Sequence, residues 1–266
     1  MCETCGCSVT PGNAEIARTP LAHGTTAIEV LDGLLAANDR VARHNRVHLD
    51  AHGVVALNLM SAPGSGKTAL LEATADALAG ELRMAVLVGD LETDNDARRI
   101  RAHGVPALQI TTGSACHLDA HMVHEALHQL ALDGLDLLFI ENVGNLVCPA
   151  AFDLGQHRDV ALLSYTEGDD KPAKYPILFR AADLVLLTKS DLAGCMEDFD
   201  PARAERALRE LANAAPLHCV SARTRSGLRP WLDWLRSELA SVRAHRAAWA
   251  PSTKELADDR RTRMAR

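Results

Sequence analysis

A lysine and a threonine stand directly behind two glycines in Pro63-Gly64-Ser65-Gly66-Lys67-Thr68, after the apolar run Leu57 to Met60 and before Ala69-Leu70-Leu71. That order suits one chemistry. Small residues let several backbone N–H groups close round a polyphosphate, and the start of a helix adds the positive end of its dipole. Lys67 reaches the β and γ oxygens, and Thr68 offers a hydroxyl to Mg²⁺. The usual pattern opens with Gly where this chain has Ser61, so Gly64, Ser65, Gly66, Lys67 and Thr68 carry the assignment.

Two acids end later apolar runs: Asp90 after Met84 to Gly89, and Glu141 after Leu135 to Ile140, with Gly144 close behind. In an open α/β sheet, ligands sit outside the carboxyl ends of the strands. Asp90 and Glu141 are therefore expected to complete a Mg²⁺ shell with Thr68 and, with Lys67, to form the catalytic set. Asp94 can be read either beside that ion or as a helix cap. Further on, Thr188-Lys189-Ser190-Asp191 has the place and spacing of a guanine-recognition motif that usually begins with Asn. The Asp191 carboxylate can accept from guanine N1–H and the exocyclic amine, whereas adenine offers neither donor there. Ser221-Ala222, after another short strand, matches the loop whose backbone N–H faces guanine O6. The expected nucleotide-binding residues are thus Lys189, Asp191, Ser221 and Ala222 together with the phosphate loop, and the expected ligand is GTP or GDP.

Sulfur supplies a second chemistry. Cys2, Cys5 and Cys7 lie within a few residues of one another around Gly6; clustered thiolates favour Zn²⁺, Ni²⁺ or Cu over Mg²⁺ or Ca²⁺. Cys116-His117 follows the strand expected at Pro106 to Thr111, and Cys148 follows the Glu141 to Gly144 segment, which should respond to the γ-phosphate. These three form a candidate soft-metal set. His117, His121, His124 and His128 fall at helical spacing and are expected on one partly wet helix face. Cys195 and Cys219 have no partners at ligand spacing and read as structural or inert.

These groups need a scaffold, and the apolar runs supply one: an α/β P-loop fold with a mostly parallel sheet flanked by helices, and a flexible tail bearing the Cys motif. The expected organisation is a metal-binding tail and linker over 1–24, a nucleotide domain with a leading amphipathic helix over 25–247, and a loose charged tail over 248–266. The loop Glu167 to Pro176, with two prolines and two lysines, reads as solvated surface. The chain has 266 residues, 47% of them apolar, a net charge of −7 and only 3% aromatics. That balance excludes a protein that works by neutralising nucleic-acid phosphates or stacking bases. No apolar run approaches the roughly 18 residues of a membrane span, so a cytoplasmic protein is expected. Seven cysteines, three of them in the first seven residues, fit thiols in a reducing compartment.

Together, Cys2-x-x-Cys5-Gly6-Cys7, the phosphate loop, Asp90, Cys116-His117, Glu141-Asn142-Val143-Gly144-Asn145-Leu146-Val147-Cys148-Pro149 and Lys171-Pro172-x-Lys174-Tyr175-Pro176 resemble the HypB family over residues 1 to about 240. HypB proteins are GTPases that insert nickel into [NiFe]-hydrogenase. The resemblance implies a SIMIBI-type P-loop domain, a nucleotide-dependent homodimer, a tight nickel site in the N-terminal Cys motif, and a second nickel or zinc site at Cys116, His117 and Cys148. It also implies a HypA-type metallochaperone as partner and the hydrogenase large subunit as recipient, with no nucleic-acid or membrane partner. The His-rich N-terminal tract of many relatives is absent. The Cys-Pro-His motif of the urease counterpart, the alternative nickel-insertion GTPase, is absent too. A kinase would need a second substrate pocket, and a metal sensor a basic DNA-binding helix pair; the sequence offers neither.

Overall fold

The computed structural model describes residues 27–113 and 115–248. Seven strands form one parallel sheet: β1 (Val55–Ser61), β2 (Met84–Asp90), β3 (Ala107–Thr111), β4 (Leu137–Glu141), β5 (Arg158–Ser164), β6 (Leu184–Thr188) and β7 (Leu217–Val220). Their order in space is β3-β2-β4-β1-β5-β6-β7. The central strands are continuous apolar runs because helices cover both faces and neither face of the pleat meets water. Every residue of β1 and of β4 is buried.

Parallel register decides where the chemistry falls. Leu59 pairs with Glu141, Val88 with the same Glu141, and Asp90 with Thr111. On the other side Ser61 pairs with Leu162 and Ser164 with Thr188. The carboxyl ends of six strands therefore form one rim that carries the phosphate loop, both acids and the guanine motif.

The helices are α1 (Ala27–His52), α2 (Lys67–Leu78), α3 (Asn95–Ala102), α4 (Ala120–Leu127), α5 (Lys171–Lys174), α6 (Pro176–Ala181), α7 (Pro201–Glu210) and α8 (Leu228–Ala248). One core lies between the sheet and α2, α3 and α8, where Leu57, Leu59, Phe139, Leu71 and the fully buried Trp231 meet. Trp231 also donates its indole N–H to Thr74 Oγ1 at 2.9 Å, so its polar edge is satisfied in the core. The opposite face packs against α1 and α4 at one end and against α6 and α7 at the other.

Two local expectations are corrected. The histidine helix begins only at Ala120, where Asp119 accepts a capping bond from Met122 N–H, so His117 lies in the preceding loop and not on that helix. Asp94 occupies the position before α3 but makes no side-chain cap; its carboxylate pairs with Arg101 instead. Cys195 and Cys219 are exposed, and Cys219 Sγ lies 3.6 Å from the Tyr165 hydroxyl. Cys2, Cys5, Cys7 and the C-terminal tail lie outside the described residues.

Candidate functional site

The phosphate loop turns through two left-handed glycines, Gly64 at φ 75° and Gly66 at φ 96°, a conformation that L side chains rarely adopt. Gly144 is held to glycine for a different reason: a Cβ there would meet the Pro63 Cα at 2.8 Å. The loop after β4 thus lies against the phosphate loop backbone.

Behind the loop, Lys67 is buried and donates to Ser61 Oγ at 2.9 Å. Burial lowers its pKa, and the charges of Glu141, Asp96 and Glu167 pull it back up. Thr68 Oγ1 donates to Glu141 Oε1 at 2.7 Å, and Glu141 Oε2 is buried with no partner among the described residues. Burial pushes the Glu141 carboxyl up to about 7 against the opposing pull of Lys67 and Thr68. A buried carboxylate oxygen without a partner, next to a hydroxyl, is the donor set of a hard cation, so the residues fit the Mg²⁺ that phosphate-loop chemistry requires.

Asp90 faces the same cavity of about 480 Å³ as Lys67, Thr68, Glu141, Asp96 and Arg99. Burial works to raise its pKa, but hydrogen bonds from Thr93 and the Leu91 N–H outweigh that and keep it ionised. Asp96 and Arg99 were not legible as cleft residues, because they sit on α3 at ordinary helical spacing. Arg99 is held by a two-pronged pair with Glu72 at 2.8 Å and by Asp96 at 3.1 Å.

The burial of Glu141 sets a pH dependence. The folded protein holds Glu141 protonated up to about pH 7, whereas the unfolded chain ionises it near its ordinary value of 4.5. Between those values the native state binds the extra proton, so the Glu141 contribution to stability is full at low pH and falls as pH rises through the window. In denaturant titrations without nucleotide or Mg²⁺, Glu141→Gln should gain on the wild type by up to about 3 kcal/mol between pH 4.5 and 8. A difference that stays flat with pH would show that Glu141 is ionised throughout.

A second cavity of about 210 Å³ adjoins the first across Gly66 and Ala69, lined by Thr188, Lys189, Asp191, Val220 and Ala222. Ser221, fully buried, donates to Asp191 Oδ1 at 2.6 Å and fixes that carboxylate. Thr188, in place of the usual Asn, donates to the Ser65 carbonyl at 2.6 Å and so ties β6 to the phosphate loop. Lys189 adopts a left-handed backbone at φ 58° and donates to Thr166 Oγ1 at 3.1 Å. Glu167, one residue on in the loop expected to be solvated, turns inward instead: its Oε1 accepts from Ser65 Oγ at 2.6 Å, and its Oε2 is buried without a partner among the described residues. Its signal in the sequence was a carboxylate just past the end of a strand. On the short helix α5 that follows, Lys174 pairs with Asp170, and Lys171 Nζ lies 5.4 Å from the Tyr175 ring centre.

Beyond the phosphate cleft, one ligand atom each from Cys116, His117 and Cys148 lies within 4.8 Å of the others. The two sulfurs are 3.0 Å apart and His117 Nδ1 is 3.8 Å from Cys116 Sγ. His117 stacks on Phe152 at 4.0 Å, and burial lowers its pKa, which keeps the imidazole neutral and able to ligate. Asn142, next after Glu141, reaches towards this cluster: its Oδ1 accepts from Leu118 N–H at 3.2 Å, while its Nδ2 donates to Asn58 at 3.0 Å. Asn145 donates to the Cys116 carbonyl at 3.3 Å.

This fold and rim define a P-loop nucleotide-binding domain with a thiol and imidazole cluster beside its nucleotide cleft. Residues 55–218 match the family model of the CobW/HypB/UreG nucleotide-binding domain. The hydrogenase maturation factor HypB of Azotobacter chroococcum mcd 1 is 50% identical over 231 residues, which span 86% of this chain and 75% of that protein. Among solved structures, HypB from Helicobacter pylori in complex with nickel is 40% identical with a TM-score of 0.74, covering 77% of this chain and 96% of that one. Hydrogenase maturation factor HypB from Archaeoglobus fulgidus, also 40% identical, has a TM-score of 0.72 and covers 77% and 100%. The chain belongs to the HypB family of hydrogenase maturation factors.

Proposed function

We propose that this protein is a slow, switch-type GTPase that carries nickel for the maturation of [NiFe]-hydrogenase. The observation that carries the reading is the adjacency of two built sites: a phosphate cleft that shares Gly66 and Ala69 with a base pocket, and a soft-metal cluster tied to the same strand end through Asn142. Lys67 and the loop N–H groups bind the phosphates, Thr68, Glu141 and Asp90 would hold Mg²⁺, and Lys189, Asp191, Ser221 and Ala222 read the base. When bound, the ion neutralises charge building on the β and γ oxygens. The protein residues do the rest: Lys67 offsets charge in a cleft where burial strengthens it, and Asp191 excludes adenine by leaving its own acceptors unpaired.

Cys116, His117 and Cys148 supply three soft ligands for cargo nickel or for zinc, one short of a closed tetrahedral set. A second subunit in a nucleotide-dependent homodimer is the natural supplier of the rest. Cys2, Cys5 and Cys7 would take one further nickel, supplied by or shared with a HypA-type metallochaperone, with the hydrogenase large subunit as recipient in the cytoplasm. Among the described residues no helix is long and apolar enough to cross a membrane.

The base assignment is checked by competition. GTP should displace bound GDP while ATP does not, and Asp191→Asn should weaken GTP by about 10- to 100-fold, the worth of one or two charge-assisted hydrogen bonds. Equal displacement by ATP would remove the GTPase label.

A further inference from the structure

Along the seam between α1 and α4, five histidines lie together, from the exposed His128 to the buried His48. His44 and His48 are one turn apart on α1, and His124 and His128 are one turn apart on α4 and its cap. Their rings face each other in rows: His44 to His124 at 5.1 Å and His48 to His128 at 5.7 Å between centres, with His124 to His128 at 4.5 Å. His52 continues the line 5.1 Å from His48 and bonds Asp133 at 3.0 Å.

Imidazoles that share one ion at the usual metal–nitrogen distance of about 2.0–2.1 Å hold their ligating nitrogens roughly 2.9–3.4 Å apart and their ring centres roughly 4.5–5.2 Å apart. His124 Nε2 and His128 Nε2 are 3.1 Å apart, already at that spacing. Two of the three ring separations fall inside the second range, and the third lies about 0.5 Å beyond it.

The tautomer of His124 is fixed by its neighbours. Asn45, fully buried, donates its Nδ2 to the carbonyls of Ala120 at 2.8 Å and Leu154 at 3.1 Å. Carbonyls only accept, so the Asn45 nitrogen faces them and its Oδ1 faces His124 Nδ1 at 3.0 Å. His124 must therefore donate from Nδ1, which leaves the Nε2 lone pair directed at His128. This is the arrangement by which an outer hydrogen bond orients a metal-ligating histidine. Burial and the neighbouring imidazoles also lower the His124 pKa and favour the neutral ring.

We propose that His124 and His128, joined by His44 and His48, form a binding site for a borderline divalent transition ion such as Ni²⁺ or Zn²⁺. Among the described residues only the cysteine cluster brings three ligand atoms within 4.8 Å of one another, so His44 and His48 close on the ion by ring rotation. Imidazole χ2 torsions are broad, and each ring gives up its present contacts in exchange for the ion, which offsets the cost of turning. His128 shifts its ring proton from Nε2 to Nδ1 through solvent, and no net proton is released. Soft and borderline metals suit an all-imidazole set, whereas Mg²⁺ and Ca²⁺ do not. The site makes no nucleotide contact and stands or falls apart from the GTPase reading.

The test is a Ni²⁺ count on the reduced full-length protein by equilibrium dialysis without nucleotide, with the thiolate-to-nickel absorption recorded on the same samples. His124→Ala/His128→Ala and His44→Ala/His48→Ala should each bind one equivalent fewer than the wild type while the thiolate band keeps its full intensity. A wild-type count in either double variant overturns the four-histidine site. So does a loss matched by a fall in the thiolate band, which would put the missing ion on cysteine. If an alanine pair fails to fold, the corresponding glutamine pair is measured instead, and the same counts decide.

Discussion

Lys67→Ala is expected to lower GTP turnover by about 100- to 1,000-fold, the range found when one preorganised donor to a developing charge is removed. The reason lies in where the ammonium already is. Lys67 is buried, anchored on Ser61 Oγ at 2.9 Å, and favoured in its charged form by the carboxylates of Glu141, Asp96 and Glu167. The cation is set in a cleft where water no longer screens it, so little reorganisation is needed when phosphate charge develops. Single-turnover hydrolysis at saturating Mg²⁺ and GTP isolates this effect from binding. Equilibrium binding should weaken as well, because the same ammonium contacts the ground-state phosphates. Turnover within a few-fold of wild type would mean that the phosphates do not sit on this loop. Folding should survive the change, since the alanine leaves Glu141 protonated and removes a buried charge rather than a packing contact.

Much of that site was legible in the sequence for a physical reason. Strand ends announce themselves through apolar runs that stop at a glycine or an acid, and parallel register then brings every such end to one rim, as the pairing of Leu59 with Glu141 and of Asp90 with Thr111 does. Elements read from local pattern therefore landed with their chemistry on the same side. What stayed illegible needed contacts distant in the chain. Glu167 looked like surface until its Oε1 met Ser65 Oγ, 102 residues away. His44 and His48 gave no signal in the sequence, because the rings they meet belong to α4, some eighty residues on. Asp94 failed as a cap because Arg101, seven residues on, took its carboxylate, a competition that local propensity does not weigh. His117 was drawn onto the helix by its spacing from His121, yet the cap at Asp119 starts the helix later.

The last expectation concerns the link between the two sites. Cys148→Ala should weaken nickel at the Cys116, His117 and Cys148 cluster by more than the roughly 10- to 100-fold typical of losing an outer-shell contact, because it removes a ligand outright. Asn145→Ala should do something different. Asn145 is no ligand; it holds the Cys116 carbonyl at 3.3 Å from the same loop whose Gly144 presses on Pro63 of the phosphate loop. A γ-phosphate that draws this loop in would carry Cys148 and, through Asn145 and Asn142, the Cys116-His117 segment with it. If so, nickel affinity differs between the GDP and GTP states by a factor in the range of about 5 to 150, and nickel must change the ratio of nucleotide affinities by that same factor. Titrating nickel into protein lacking residues 1–7, with GDP and then with a non-hydrolysable GTP analogue, measures the factor. Asn145→Ala should keep the nickel equivalent but bring the factor close to one. The same affinity in both nucleotide states of the wild type would separate the two sites, leaving the metal cluster a passenger on a nucleotide switch that does not move it.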